Sequence, residues 1–193
     1  MSKKRLRFFT TRGNIVTNRY LIRSITREGV RMSKPSSKRS SVDRVREHLK
    51  QCGLDIEVME LAKSTRTAAL AAEAVGSPLG AIVKSLVFLA DGRPVLILVS
   101  GDKRVDPEKL AKILKAKRVM IANADQVREA TGFAIGGVPP VAHKTKLLTL
   151  IDRNLQRFEK LYAAAGSPRA VFPITFETLV EITDGQLADV TED

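Results

Sequence analysis

Lys84 stands inside the longest nearly continuous apolar run of the chain, Ala81-Ile82-Val83-Lys84-Ser85-Leu86-Val87-Phe88-Leu89-Ala90. Burying a lone ammonium is costly, so such a lysine needs a partner, a lowered pKa or a cavity open to a charged ligand. The bland alternative is a stem packed in the core with its amine reaching out to water. Other residues with chemical potential follow. Gly101-Asp102 closes a second apolar run. The segment Gly132-Phe133-Ala134-Ile135-Gly136-Gly137-Val138-Pro139-Pro140 packs three glycines and two prolines into nine residues, which excludes regular structure. Consecutive amides of such a loop can hold an oxyanion or polarise an ester carbonyl. His143 follows the loop, and Asp152 closes another apolar run. The plainer readings stay open: a tight connection for the loop, turn or cap carboxylates for the two aspartates, a solvated or core-satisfied ring for His143.

Several chemistries are missing. There is no phosphate-loop signature, no dinucleotide glycine fingerprint and no nucleophile elbow. Cys52 is the only cysteine, which excludes an intrachain disulfide and fits a reducing compartment. A Cys52/His143 pair finds little support, because Cys52 falls on an apolar helix position that suits a structural role. With only His48 and His143, a Cys/His zinc set is absent, and a carboxylate-only metal site is left open.

The elements that position these residues are legible from periodicity. Ser40-Ser41-Val42-Asp43 fits a capping box for a helix with Val42, Val45, Leu49 and Cys52 at helical spacing, stopped by Gly53. Ile56 to Leu61 reads as a short strand. Ser64 or Thr65 caps a helix through Ala74, stopped by Gly76 and Pro78. The Lys84 run reads as a strand buried on both faces, with Lys84 sharing a face with Ile82, Leu86 and Phe88. Asp91-Gly92 then turns it into a second strand, Pro94 to Ser100, the clearest hairpin signal in the chain. Val105-Asp106-Pro107 opens a helix that places Leu110, Ile113 and Leu114 on one face. A strand at Arg118 to Ala122 and a helix capped by Asp125 lead to Thr131-Gly132. Leu147 to Ile151 is a strand. Leu161 to Ala165 and Ala170 to Ile174 form a second hairpin. Thr175 caps a helix to Ile182, and Leu187 to Val190 is a last strand. The pattern predicts an α/β (α+β) domain with a mixed, largely antiparallel sheet or partial barrel flanked by helices.

The net charge is +12, and its distribution is uneven. Residues 1–41 carry 12 Lys/Arg against one acid, Glu28, while residues 42–193 carry 21 against 20. The expected organisation is therefore a basic, flexible extension over residues 1–39 and a folded domain over 40–193. Residues 1–31 admit three readings: an RNA-binding arm, a transit-like segment, or a start-site artefact upstream of Met32. The dispensable or artefactual reading is favoured, since nothing there suits a core. No apolar run approaches the roughly 20 residues that span a bilayer, so no membrane partner is expected.

The order Ile82-Val83-Lys84-Ser85-Leu86-Val87-Phe88, Gly101-Asp102, Thr131-Gly132, Gly136-Gly137-Val138-Pro139-Pro140, Ile151-Asp152 resembles the YbaK/prolyl-tRNA synthetase editing-domain family of freestanding aminoacyl-tRNA deacylases. The likeness covers about residues 40–191. It rests on the ordered set rather than on any one motif. The resemblance implies hydrolysis of the ester between a wrong amino acid and the terminal adenosine of a tRNA, without metal or other cofactor. It places Lys84 in the pocket and makes Gly136, Gly137 and Val138 of a Gly-x-x-x-Pro loop the backbone groups around the ester. It assigns Thr65, Gly101, Asp102, Pro139, Pro140, His143 and Asp152 to lining or supporting positions. Some members carry serine just before the final proline of the loop, where this chain has Pro139. Mechanism must then use backbone amides, water and the substrate itself, and the cysteine-specific activity of YbaK transfers less readily. The expected partner is aminoacylated tRNA, with a small amino acid on proline tRNA as one candidate. A synthetase as docking partner and the oligomeric state stay open, and a cytoplasmic location is expected. The alternative is a non-catalytic tRNA- or synthetase-binding module of the same fold.

Overall fold

A computed structural model describes residues 40–62 and 64–192; the basic extension and its three readings lie outside the described residues. The elements run α1 (Ser41–Gln51), β1 (Met59–Glu60), α2 (Ala68–Val75), β2 (Ile82–Ala90), β3 (Arg93–Ser100), α3 (Pro107–Leu114), β4 (Val119–Ile121), α4 (Ala124–Thr131), β5 (Leu148–Asp152), β6 (Leu161–Ser167), β7 (Ala170–Ile174), α5 (Phe176–Thr183) and β8 (Gln186–Ala188). Short 3-10 turns at Leu79–Ala81 and Arg153–Arg157 complete them. This is the expected mixed α/β domain.

The hairpin of β2 and β3 is its centre. Asp91 (φ 48°) and Gly92 (φ 82°) are both left-handed, as a two-residue turn between twisted strands requires. The Asp91 carboxylate also accepts the Lys117 and Arg118 N–H groups at 3.1 and 2.9 Å, which fixes the entry to β4. The strands pair in the order β1-β7-β6-β2-β3-β5-β8, with β4 on β2. Four pairings are antiparallel; β2/β6, β3/β5 and β5/β8 are parallel. Alternation along β3 divides the core. Leu96 and Leu98 join Val45 and Leu49 of α1 and Phe172 of β7, while Val95, Ile97 and Val99 join Leu110 of α3 on the other side. Both faces of β3 are therefore buried, as its unbroken apolar run predicts.

Some expectations shift by a residue or a turn. Thr67, not Ser64 or Thr65, caps α2, because the N–H and hydroxyl of Thr65 both bind the Pro168 carbonyl and hold the chain extended there. Asn123 rather than Asp125 caps α4, in a reciprocal capping box with Gln126. Cys52 falls just past the last turn of α1 and is exposed, so it packs in no core. Ile113 is 41% exposed, since α3 turns Leu110 alone fully inward.

One interruption in the sheet matters for function. On its outer edge β2 pairs with β6 only at Ile82 and Val83, and with β4 only at Phe88 to Ala90. The Ala122 N–H binds the Val87 carbonyl at 3.0 Å, so odd-numbered residues of β2 turn their backbone groups to this edge. Between the two partners the edge is open, and Ser85 is at its middle.

Candidate active site

The opening in the sheet is the wall of a cavity of about 310 Å³. Because the edge is interrupted, residues from both faces of β2 reach it. Ile82 and Lys84 border it with Ala68 and Ala71 of α2; Val83, Ser85 and Val87 border it with Val127 and Val138. Thr65, Arg66, Gly136 and Tyr162 add the other polar or glycine positions of the wall that bear on chemistry. Among the described residues, the wall carries no carboxylate, imidazole or thiol.

Lys84 is half-buried, and its ammonium donates to the Lys103 carbonyl. Burial lowers its pKa, the charge of nearby Asp102 pulls the other way, and Arg104 adds to the lowering. An ammonium has three N–H groups, so this contact leaves others for a ligand. Asp102 is held in turn: Arg157 donates to its two carboxylate oxygens at 2.8 and 3.0 Å and to the Ser100 hydroxyl at 3.0 Å. The Arg157 guanidinium keeps the Asp102 carboxyl below the usual carboxylate range. Ser100 donates onward to the Gly80 carbonyl. Gly101 lies against the Leu79 carbonyl so closely that any Cβ would collide with it. Gly101 and Asp102 thus form the bracket behind Lys84, not the cavity wall.

The glycine-proline loop is pinned from three sides. Gly136 takes φ +85°, open to glycine and strained for other residues. At Gly137 a Cβ would stand 2.8 Å from the Ser167 Cα, so the loop backbone lies directly on the backbone of β6. The Gly137 N–H is taken by the Ala134 carbonyl at 3.0 Å. Of the three amides expected around an ester, those of Gly136 and Val138 remain without an acceptor among the described residues. The third support is His143, whose Nε2 lies 2.7 Å from the Pro139 carbonyl and therefore donates to it. Its ring meets Phe133 edge-on at 6.2 Å, and Arg44 stacks on Phe133 at 3.8 Å while donating to the Gly132 carbonyl at 3.0 Å.

The structure therefore brings Thr65, Lys84, Gly136 and Val138 to one cavity, with Gly137 beside them. Pro139 is buried in the loop. Pro140 and His143 border a second, shallower cavity of about 620 Å³ behind the loop, together with Arg44 and His48. Asp152 is fully buried away from both cavities; its oxygens accept the Asn154 and Val190 N–H groups at 2.8 and 3.3 Å, a cap and tie within the fold. Sequence reading missed Ser85, Arg157 and Tyr162. Arg157 carries no local motif, and Tyr162 reaches the wall only through the parallel pairing with Ile82. Among the described residues no three His, Cys, Asp or Glu side chains come together as a metal set. No described helix is long and apolar enough to cross a membrane.

A pH prediction follows for His143. Burial lowers its pKa, partly offset by the Pro139 carbonyl, with the charges of Arg44 and His48 lowering it further. The unfolded chain therefore takes up a proton on this ring at higher pH than the folded one. The stability it contributes is present above the unfolded value of about 6.5 and is lost as pH falls toward the lowered folded value. Thermal unfolding between pH 7.5 and 5 should show a smaller decline for His143→Gln, whose amide can donate to Pro139 without titrating, than for the wild type.

The family model described as "Aminoacyl-tRNA editing domain" matches residues 62–182. The chain is 33% identical to the "Uncharacterized protein YwhH" of Bacillus subtilis over 157 residues, 79% of this chain and 98% of that one. It is 28% identical to the "Putative Cys-tRNA(Pro)/Cys-tRNA(Cys) deacylase EbsC" of Enterococcus faecalis over 62% of this chain and 74% of that one. A solved structure described as "a putative trans-editing enzyme for prolyl tRNA synthetase" superposes with a TM-score of 0.76 at 44% identity, covering 79% of this chain and 98% of that one. The match to the family model spans more than half of the chain, and the chain belongs to the aminoacyl-tRNA editing domains.

Proposed function

We propose that the cavity hydrolyses the ester of a mischarged tRNA, removing a small amino acid from the 3′-terminal ribose. The observation that supports this reading is the meeting of Lys84 with Gly136 and Val138 of the glycine-proline loop around a cavity of about 310 Å³. That volume suits an amino acid and part of a ribose. Lys84 binds and orients the terminal phosphate or the polar groups beside the ester. Water attacks the carbonyl carbon, and the Gly136 and Val138 amides stabilise the oxygen that becomes negative. Collapse breaks the bond to the ribose oxygen, which takes the proton, and the free amino acid leaves. With no carboxylate, imidazole or thiol in the described wall, a substrate group such as the neighbouring ribose hydroxyl assists the water.

Proline tRNA is the favoured carrier, by analogy with the relatives, and the synthetase that charges it is the fitting partner. Cytoplasm is the matching location. The test is deacylation of proline tRNA charged with alanine, serine, threonine or cysteine. Release of at least one of them supports the reading. No release of any by folded protein that still binds tRNA overturns it and leaves a binding module.

A further inference from the structure

Among the described residues four aliphatic hydroxyls border the cavity, and three already have work. Thr65 donates to the Pro168 carbonyl at 2.8 Å, Thr67 accepts from Leu70 at 3.3 Å as a helix cap, and Ser167 accepts from Arg169 at 3.2 Å. The Ser85 Oγ is out of contact with water and has no hydrogen-bond partner. Its backbone N–H and C=O face the open edge of β2, between the ends of β6 and β4. One residue thus presents a buried, unpaired hydroxyl and, on the edge that no described strand covers, its backbone N–H and C=O. By strand alternation Ser85 shares its face with Val83 and Val87, which pack with Val127 and Val138 in the main core. Lys84 faces the opposite side, toward Ala68 and Ala71.

The two sides of the cavity therefore differ. The Lys84 side suits a charged or ribose-bearing part of a ligand, and the Ser85 side is a small apolar chamber with one unsatisfied hydroxyl. We propose that Ser85 reads the side chain of the amino acid, and that the preferred substrate carries a hydroxyl on its β-carbon, as serine and threonine do. This rests on the reading of the cavity as an aminoacyl-ester pocket. A rotation about the Cα–Cβ bond of Ser85 turns its oxygen to the chamber, where a substrate hydroxyl both donates and accepts. An alanyl methyl fills the same space and leaves the Ser85 hydroxyl unpaired. A site built around such a pairing rejects the analogue lacking it far more strongly than a hydrophobic pocket rejects a missing methylene.

The experiment measures kcat/KM for seryl, threonyl and alanyl esters on one proline tRNA, with wild type, Ser85→Ala and Ser85→Thr. Wild type should favour the hydroxylated esters by about 100-fold or more. Ser85→Ala should lower their hydrolysis by about 10- to 100-fold and leave the alanyl ester nearly unchanged. Ser85→Thr should keep the preference. Because the hydroxyl is unpaired in the free protein, Ser85→Ala should melt no lower than wild type. Equal loss on all three esters, or a wild-type preference for alanine, overturns the proposal. Binding of non-hydrolysable seryl- and alanyl-amide analogues of the terminal adenosine, measured by calorimetry, separates the two readings. Discrimination in binding without turnover of any ester overturns the hydrolase and keeps the Ser85 contact. Turnover without discrimination overturns the Ser85 contact alone, and absence of both binding and turnover overturns both.

Discussion

Lys84→Ala should fold and bind tRNA, yet hydrolyse mischarged tRNA about 100- to 1000-fold more slowly than wild type, the usual cost of removing one preorganised polar group from an acyl-transfer site. Folding should survive because the side chain is only half-buried and its ammonium makes one described hydrogen bond, to the Lys103 carbonyl. Removing it also relieves the desolvation that lowers its pKa. Turnover should fail because the other cationic side chain of the described wall, Arg66, belongs to the loop side, against Gly136, and does not take the place of an ammonium on β2. Lys84→Arg is the informative companion. A guanidinium keeps the charge, but it is planar and larger, and the space beside Ala68 and Ala71 is shaped by small side chains. Arginine should therefore restore less than a tenth of the lost rate, on the order suggested by positional tolerance in active sites. Single-turnover deacylation with saturating enzyme reads the chemical step for all three proteins. A Lys84→Ala protein with wild-type single-turnover rate would remove the lysine from the mechanism.

Gly137→Ala should be nearly as damaging, by a different route. Its Cβ would stand 2.8 Å from the Ser167 Cα and 2.9 Å from the Ser167 nitrogen and carbonyl carbon. These are backbone atoms of β6 and cannot turn aside as a side chain does. The loop must lift, and it carries the Gly136 and Val138 amides with it. A displacement of this size should lower kcat by about 100-fold. Overpacking should also cost about 1–3 kcal/mol of stability. Gly53→Ala is the contrast: Gly53 takes a positive φ, +76°, with nothing within 4 Å of the added carbon, so it tests backbone strain without contact, whereas Gly137, whose φ is not positive, tests contact without that strain. Chemical denaturation and deacylation of the two variants together separate the terms. Equal activity in both would mean that the close approach to Ser167 does not position the loop.

Local rules made much of this molecule readable. The β2/β3 hairpin followed from Asp91-Gly92 between two apolar runs, and the loop from its glycines and prolines, because both signals act over a few residues. Ser40, Asp106 and Thr175 cap their helices as read. The three parallel pairings were not readable, since each joins strands far apart in sequence. Thr67 displaced Thr65 as a cap for the same reason: the Pro168 carbonyl that holds Thr65 comes from 103 residues away. Within the site, Lys84 was visible as a charge in an apolar run. Ser85 was not, because a serine in a strand is ordinary until its neighbours on the sheet edge are known. Asp152 shows the converse. Its place at a strand end was legible, but only the Asn154 and Val190 amides reveal it as a tie within the fold.

The open edge of β2 also leaves a record in amide hydrogen exchange. Even-numbered residues there pair with β3, Lys84 with Val99 and Leu86 with Ile97, so their amides should be among the slowest of the chain to exchange. The amide of Ser85 lies between them on the most central hairpin and has no strand to close over it. It should exchange orders of magnitude faster than either neighbour without any unfolding. A ligand seated in the gap would slow that one amide and leave the flanking two unchanged, giving a single-residue report of occupancy in the middle of the core.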